Sequence, residues 1–238
     1  MRLEIVPTVG EIRHDQIGNR VVIVIDVLRA SSTIVTALGQ GFAAVIPAET
    51  AGQALALRDE HTILAGERFC KKHPAFDLNN SPTSLCEQQY SGKQLIISTT
   101  NGTRAIQKAE RAHTLLIGCL LNATSCIKHA LSYHLDITLY CAGTREEFAL
   151  EDGLAAGLMV DLAKRHFPQA EVCDLGCALQ AAYLHLAGKL PEHLASTTTG
   201  KRLIRHHFHD DIRFCSQIDH YPIVPIAKAG RILPHLVS

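Results

Sequence analysis

The stretch Val21-Val22-Ile23-Val24-Ile25-Asp26-Val27-Leu28-Arg29-Ala30-Ser31-Ser32-Thr33 passes from five β-branched aliphatic residues into an acid, an arginine and three hydroxyls. An aliphatic run without polar alternation is the pattern of a strand buried on both faces, as in a parallel sheet. Helical spacing follows over 33–40. The same unit recurs outward along the chain: further strands are expected at 44–46, 63–65, 95–98, 115–117 and 137–140, and helices at 51–60, 103–110, 123–131 and 148–166. Strand and helix alternate, which gives an α/β fold, a three-layer α/β/α arrangement around a largely parallel or mixed sheet. Two helix starts carry capping-box spacing, Thr50-x-x-Gln53 and Thr144-x-x-Glu147. After Pro168 the pattern turns to helices, at 174–187, 192–195 and 200–215, and Pro222, Pro225 and Pro234 punctuate a tail that reads as irregular. No linker or repeat marks a boundary, so 1–238 reads as one compact domain, with lobes near 1–135 and 136–238 if it divides.

Charge and composition narrow the function. The chain balances 23 Lys+Arg against 23 Asp+Glu over 238 residues, which removes the electrostatic reason for a nucleic-acid or anionic-membrane partner. A hydrophobic share of 47% against 19% charged supplies a sizeable core and excludes global disorder. Aromatics at 5%, with no Trp, leave little to stack on sugars or bases. None of the eight cysteines sits in C-x-x-C spacing, and several lie in apolar runs such as Leu139-Tyr140-Cys141-Ala142, so reduced, buried thiols are expected. The longest aliphatic run, 21–25, is far below the ~18 residues of a membrane span. A soluble, cytoplasmic protein is expected, with a homo-oligomer left open.

Three strand-to-helix junctions carry the chemistry. The first holds Asp26, Arg29 and the hydroxyls of Ser31 and Ser32, at the sheet edge where ligands of open α/β folds bind. The second, Ser98-Thr99-Thr100-Asn101-Gly102-Thr103-Arg104, combines hydroxyls, an amide, backbone N–H groups and a guanidinium into an expected oxyanion cradle. The third, Cys141-Ala142-Gly143-Thr144-Arg145-Glu146-Glu147 followed by Leu150-Glu151-Asp152-Gly153, places adjacent carboxylates among small apolar residues, of which one, Glu151 or Asp152, is expected to reach a metal directly.

Glu67-Arg68 ends another strand, and Asp77, Asn79, Asn80 and Ser81 follow in a polar loop. Acids at several strand ends can converge on a hard cation with oxygen ligands, which suits Mg²⁺. Asp26, Glu67 and Asp152 are the candidate metal ligands. Asp26, Arg29, Glu151 and Asp152 are the candidate catalytic groups. His206-His207-Phe208-His209 is unmatched to cysteines at zinc spacing and reads as a solvated helix face. Motifs of P-loop enzymes, dinucleotide-binding folds, serine esterases and C-x₅-R phosphatases are absent from the sequence.

Taken together, the blocks Ile25-Asp-Val-Leu-Arg-Ala-Ser-Ser-Thr33, Gly66-Glu-Arg68, Phe76-Asp77 with Asn80-Ser-Pro82, Ser98-Thr-Thr-Asn-Gly-Thr-Arg-Ala105, Cys141-Ala-Gly-Thr144 and Leu150-Glu-Asp-Gly-Leu-Ala-Ala-Gly157 resemble the 2-phosphosulfolactate phosphatase family. The resemblance covers most of the chain in order. It extends more weakly to Gly200-Lys-Arg-Leu203, Asp211, Cys215 and Asp219, and the chain departs from the family pattern around Phe69–Ala75 and at Asn79. The resemblance implies Mg²⁺-dependent hydrolysis of a small phosphate ester, 2-phosphosulfolactate, as in coenzyme M biosynthesis. On that reading Ser31, Ser32, Arg29, Thr99, Thr100, Asn101, Gly102, Thr103 and Arg104 serve the phosphate, and Arg68 with Ser81 holds the carboxylate or sulfonate. Two alternatives remain: a phosphatase of the same scaffold for another small organic phosphate, and a non-catalytic anion-binding module.

Overall fold

In the computed structural model, which describes residues 1–236, the 21–25 run is a strand whose five side chains are completely buried. It is β2 of a single sheet built from β1 (Arg2–Val6), β2 (Val21–Ile25), β3 (Ala44–Pro47), β4 (Thr62–Arg68), β5 (Lys71–Lys72), β6 (Gln94–Ser98), β7 (Thr114–Gly118), β8 (Ile137–Cys141), β9 (Glu171–Val172), β10 (Ile223–Lys228) and β11 (Arg231–Leu236). The helices are α1 (Ala30–Gly39), α2 (Ala51–Ala56), α3 (Pro82–Leu85), α4 (Gly102–Lys108), α5 (Ala123–Leu131), α6 (Leu150–His166), α7 (Asp174–Leu186), α8 (Leu190–Ser196), α9 (Thr198–Arg205) and α10 (His209–Cys215). They cover both sides of the sheet, giving the three-layer α/β fold with a helical C-terminal portion. No helix among the described residues is long and apolar enough to cross a membrane.

The strand order is β5-β4-β6-β3-β11-β10-β7-β2-β8-β1-β9. Two blocks are parallel within themselves, β4-β6-β3 and β7-β2-β8-β1-β9. The C-terminal hairpin β10-β11 joins them through antiparallel pairings on both flanks. An odd number of reversals separates β3 from β7, so the two blocks run in opposite directions. The carboxyl ends of β2, β4, β6 and β8 nevertheless line one cleft.

That hairpin corrects the expectation of an irregular tail. Pro225 lies opposite Pro234. A proline removes a ladder donor, yet at a non-hydrogen-bonded position of the hairpin neither ring costs its own partner anything. The missing donors fall on the outer flanks, where pairing is short: β10 meets β7 only at Ile226 and Ala227, and β11 meets β3 only at Ile232. Asn122 reinforces the join, its Nδ2 donating to the carbonyls of both Ile117 and Ile223 at 3.1 Å.

Two further expectations change. Thr144-x-x-Glu147 is not a helix start but a tight turn in which Thr144 and Glu147 exchange both backbone hydrogen bonds, at 2.8 and 3.0 Å. Arg145 and Glu146 sit in it at φ 53° and 62°, and α6 begins only at Leu150. The 200–215 helix breaks into α9 and α10 at His206-His207-Phe208, where His207 has φ 65° and the Phe208 ring lies 4.2 Å from the Arg29 guanidinium carbon. Five cysteines are buried, whereas Cys86 and Cys177 are exposed and Cys173 is half-buried; all eight are free thiols.

The hairpin sits mid-sheet, so its loss would expose two edges at once. A chain ending at His220 is expected to lose cooperative thermal unfolding and to aggregate. A soluble, cooperatively melting truncation product would show that the two blocks hold together without β10 and β11.

Candidate active site

Asp26 emerges from the carboxyl end of β2 and turns the chain into α1. Its backbone N–H donates to Ser31 Oγ at 2.9 Å, and the Ala30 N–H donates to its Oδ1 at 3.1 Å. Ser31 Oγ donates in turn to the Val24 carbonyl and Ser32 Oγ to the Val27 carbonyl. Both hydroxyls are buried and spent on this turn, so neither is a free phosphate donor. Opposite the turn, α4 comes so close that a Cβ at Gly102 would lie 2.4 Å from the Ala30 Cβ and 2.9 Å from Asp26 Oδ2. Only a glycine lets the Thr99–Asn101 loop reach the Asp26 carboxylate.

The cleft above these ends is lined by Asp26, Arg29, Glu67, Thr99, Thr100 and Asn101 on the strand-end side, with Gly143, Thr144 and Arg145 from the β8 turn and Thr199 and Arg202 from α9. The cleft is open to solvent and offers about 90 Å³ of room to water-sized groups. Asn101 Nδ2 donates to the Gly143 carbonyl at 3.0 Å, joining the loops after β6 and β8. Thr103 is buried and donates to the Thr99 carbonyl at 2.7 Å, holding the loop from within.

Arg29 is held by a buried ion pair. Its Nη1 donates to Asp211 Oδ2 at 2.5 Å, and the two side chains are 2% and 0% exposed. Asp211 Oδ1 also accepts from Ser81 Oγ at 2.8 Å and from the Thr83 backbone N–H and Oγ1 at 3.2 and 2.6 Å. Ser81 caps α3 and serves Asp211, and so stands away from the cleft wall. Asp211 was legible only as part of a faint C-terminal resemblance, since its partners lie about 130 to 180 residues away in sequence.

The acids divide. Asp26 and Glu67 line the cleft, Glu67 Oε2 also accepting from the Cys70 N–H at 2.6 Å. Asp152 is set back: its Oδ1 accepts from the Val27 N–H at 2.8 Å and its Oδ2 from the Gly143 N–H at 3.0 Å, so both oxygens tie the β2 turn to the β8 turn. Glu151 is buried, 2% exposed, and does not line the cleft. Among the described residues no group of three or more His, Cys, Asp and Glu side chains is gathered to hold a metal, so Asp26, Glu67 and Asp152 do not meet as a ready-made trio. Burial first, and then the charges of Glu151 and Glu67, raise the Asp26 carboxyl from its ordinary 3.8 to about 7. Burial, followed by Asp26 and Glu151, likewise pushes Asp152 well up.

Of the three candidate arginines, Arg29 lines the cleft and two fall outside it. Arg104 leaves α4 toward solvent and pairs with Glu146 at 2.9 Å, the two side chains 48% and 55% exposed. A helix start fixes the backbone, but the Arg104 side chain follows the turn that carries Glu146. Arg68 lies on the exposed β4-β5 hairpin beside Phe69, while Phe69 itself lines the cleft. Sequence reasoning gave no role to Arg145, Thr199 or Arg202, although Arg145 stands in the junction after Cys141 and Arg202 in the weaker Gly200-Lys-Arg-Leu203 block of the resemblance.

The description 2-phosphosulpholactate phosphatase belongs to the family model that matches residues 6–230. The chain belongs to that family. A relative from Symbiobacterium thermophilum, named a probable 2-phosphosulfolactate phosphatase, is 33% identical over 92% of this chain and 96% of its own length. Proteins of the same name from Thermotoga petrophila and Clostridium acetobutylicum are 39% identical over 89% of this chain and 90% of their chain, and 32% identical over 98% and 100%. Members of the 2-phosphosulpholactate phosphatase family therefore match this chain across both parallel blocks and the helices that carry Asp211 and Arg202.

The crowded carboxylates give a pH signature. A carboxyl raised on folding contributes stability that is complete below about pH 4 and is lost as pH rises through about 7. In cation-free buffer, urea titrations should therefore show wild type losing stability relative to Asp26→Asn between these limits, by at most about 1.4 kcal/mol per pH unit. A difference that stays flat, or moves toward wild type, would contradict the burial of Asp26 among acids.

Proposed function

We propose that this chain is a phosphoric monoester hydrolase that cleaves 2-phosphosulfolactate to 3-sulfolactate and inorganic phosphate. The observation that carries this reading is the position of Arg29, an immobilised guanidinium in the same small cleft as the carboxylates of Asp26 and Glu67. The names of the family and of its relatives support the substrate. A pure anion receptor would not bury carboxylates beside its ligand.

Hydrolysis forms a bond from the water oxygen to phosphorus and breaks the ester P–O bond, with negative charge spread over the phosphoryl oxygens. Arg29 is permanently charged and already oriented, so it meets that charge without reorganisation. Thr99, Thr100 and Asn101 supply neutral polar groups from the loop after β6. The donor set fits a hard divalent cation: the cleft offers oxygen ligands, and its buried acids outnumber what Arg29 neutralises, since Arg29 is already paired with Asp211. Mg²⁺ takes one or two protein carboxylates and completes its shell with water and substrate oxygens, so Asp26 and Glu67 are the residues that would hold it. It would supply positive charge to the phosphoryl oxygens and acidify water. Asp152, bound by two backbone amides, keeps the loops that carry Asp26 and Gly143 in place.

Phosphate release from 2-phosphosulfolactate should require Mg²⁺ or Mn²⁺ and stop after exhaustive EDTA treatment, returning on readdition. Asp26→Asn should lower kcat/KM by about 10²- to 10³-fold. Full turnover in EDTA, or an Asp26→Asn variant near wild type, would overturn the cation reading.

A further inference from the structure

The α9 side of the cleft carries charge that the chain leaves unpaired. Thr197 caps α9, its Oγ1 accepting from the Gly200 N–H at 3.0 Å, and the first turns of this helix present Thr199 and Arg202 to the cleft. Arg202 Nη2 donates to Thr144 Oγ1 at 2.9 Å, while its Nε is buried with no partner. Arg145, from the tight turn after β8, lines the same cleft. Several other arginines are matched to acids, Arg20 to Glu4 and Asp136, Arg29 to Asp211, Arg58 to Asp77, Arg104 to Glu146 and Arg165 to Asp161. Arg68, Arg111, Arg205 and Arg231 have no acid among the described residues but are exposed to solvent and outside the cleft lining. Among the described residues neither Arg145 nor Arg202 has such a partner. A buried guanidinium N–H without an acceptor is costly, and a ligand oxyanion is the group that satisfies it with a geometry matching the fork.

The two sides of the cleft are thus chemically distinct. Asp26, Glu67 and Arg29 form one side, suited to a phosphoryl group with its cation. Arg202, Arg145 and Thr144 form the other, where neither arginine is ion-paired among the described residues and the neighbouring Glu146 is turned to Arg104. We propose that Arg202, supported by Arg145 and Thr144, is a second anion subsite that holds the non-reacting acid group of the substrate, a carboxylate or sulfonate, and thereby selects phosphate esters bearing a second acid. This inference rests on the hydrolase reading above and replaces Arg68 and Ser81 in the role expected from sequence, since Ser81 is committed to Asp211 and Arg68 lies outside the cleft.

The test compares 2-phosphosulfolactate, 2-phospholactate and isopropyl phosphate, which differ only in the acids they carry, across wild type, Arg202→Ala, Arg202→Lys and Arg202→Gln. Arg202→Ala should lower the kcat/KM ratio of 2-phosphosulfolactate over isopropyl phosphate by roughly 10²-fold, mainly through KM, because the subsite binds ground state and transition state alike. Arg202→Lys should recover part of it, since a point charge cannot reproduce the fork. If the loss appears equally with 2-phospholactate the carboxylate occupies the subsite, and if only with 2-phosphosulfolactate the sulfonate does. A ratio within about threefold of wild type in Arg202→Ala, or in Arg202→Gln should the alanine variant not fold, overturns the proposal. Calorimetric binding of 3-sulfolactate separates this from the hydrolase reading: wild type should bind it and Arg202→Ala at least ~10-fold more weakly, even if no ester is turned over. Equal affinity, or no binding to wild type, also overturns the subsite.

Discussion

The buried pair of Arg29 and Asp211 is the constraint on which the rest of the site depends. Arg29 comes from the turn after β2, and Asp211 from α10 near the other end of the chain. Burying two charges gains little net stability against a hydrophobic alternative, but it tolerates only one geometry. Asp211 meets that condition by taking donors from Arg29, Ser81 and Thr83 together, and Phe208 closes the face of the guanidinium. One carboxylate thus registers the C-terminal helices, α3 and the turn after β2 against each other. At the break between α9 and α10, Phe208 lies over Arg29, while Arg202 of α9 lines the cleft.

Around that fixed arginine the protein accumulates negative charge. Asp26, Glu67, Glu151 and Asp152 lie close enough that burial and mutual repulsion raise two of them. Such crowding works against folding, and the structure offsets part of it with backbone amides: Val27 and Gly143 on Asp152, Ala30 on Asp26. The remainder is left for what binds in the cleft. Among the described residues, acids without a cationic partner and arginines without an acidic one line the same cleft, the arrangement that the proposed substrate and cation require.

The sequence made the parallel blocks legible because strands buried on both faces read as unbroken aliphatic runs; 21–25 and the helix at 123–131 coincide with β2 and α5 to the residue. The β10-β11 hairpin was hidden by its prolines, whose cost depends on which flank of the strand faces a neighbour, a tertiary fact. Thr144-x-x-Glu147 misled for a related reason, since the same spacing serves a helix cap or a two-residue turn, and Gly143 at φ 65° decided for the turn. In the site, Asp26, Arg29, Glu67 and the Thr99–Asn101 loop were visible as polar residues ending apolar strands. Arg104 was visible too but points to Glu146, because the position of a helix start does not specify the direction of a long side chain. Arg202 and Asp211 were nearly invisible, as each gains its meaning only from partners more than fifty residues away.

A crystal grown with Mn²⁺ and inorganic phosphate tests most directly whether Arg29 and the strand-end acids form one phosphoryl site. The expected result is phosphate on the Arg29 guanidinium with the anomalous Mn²⁺ peak on Asp26 or Glu67. Phosphate bound away from Arg29, with Mn²⁺ on neither acid, would contradict it.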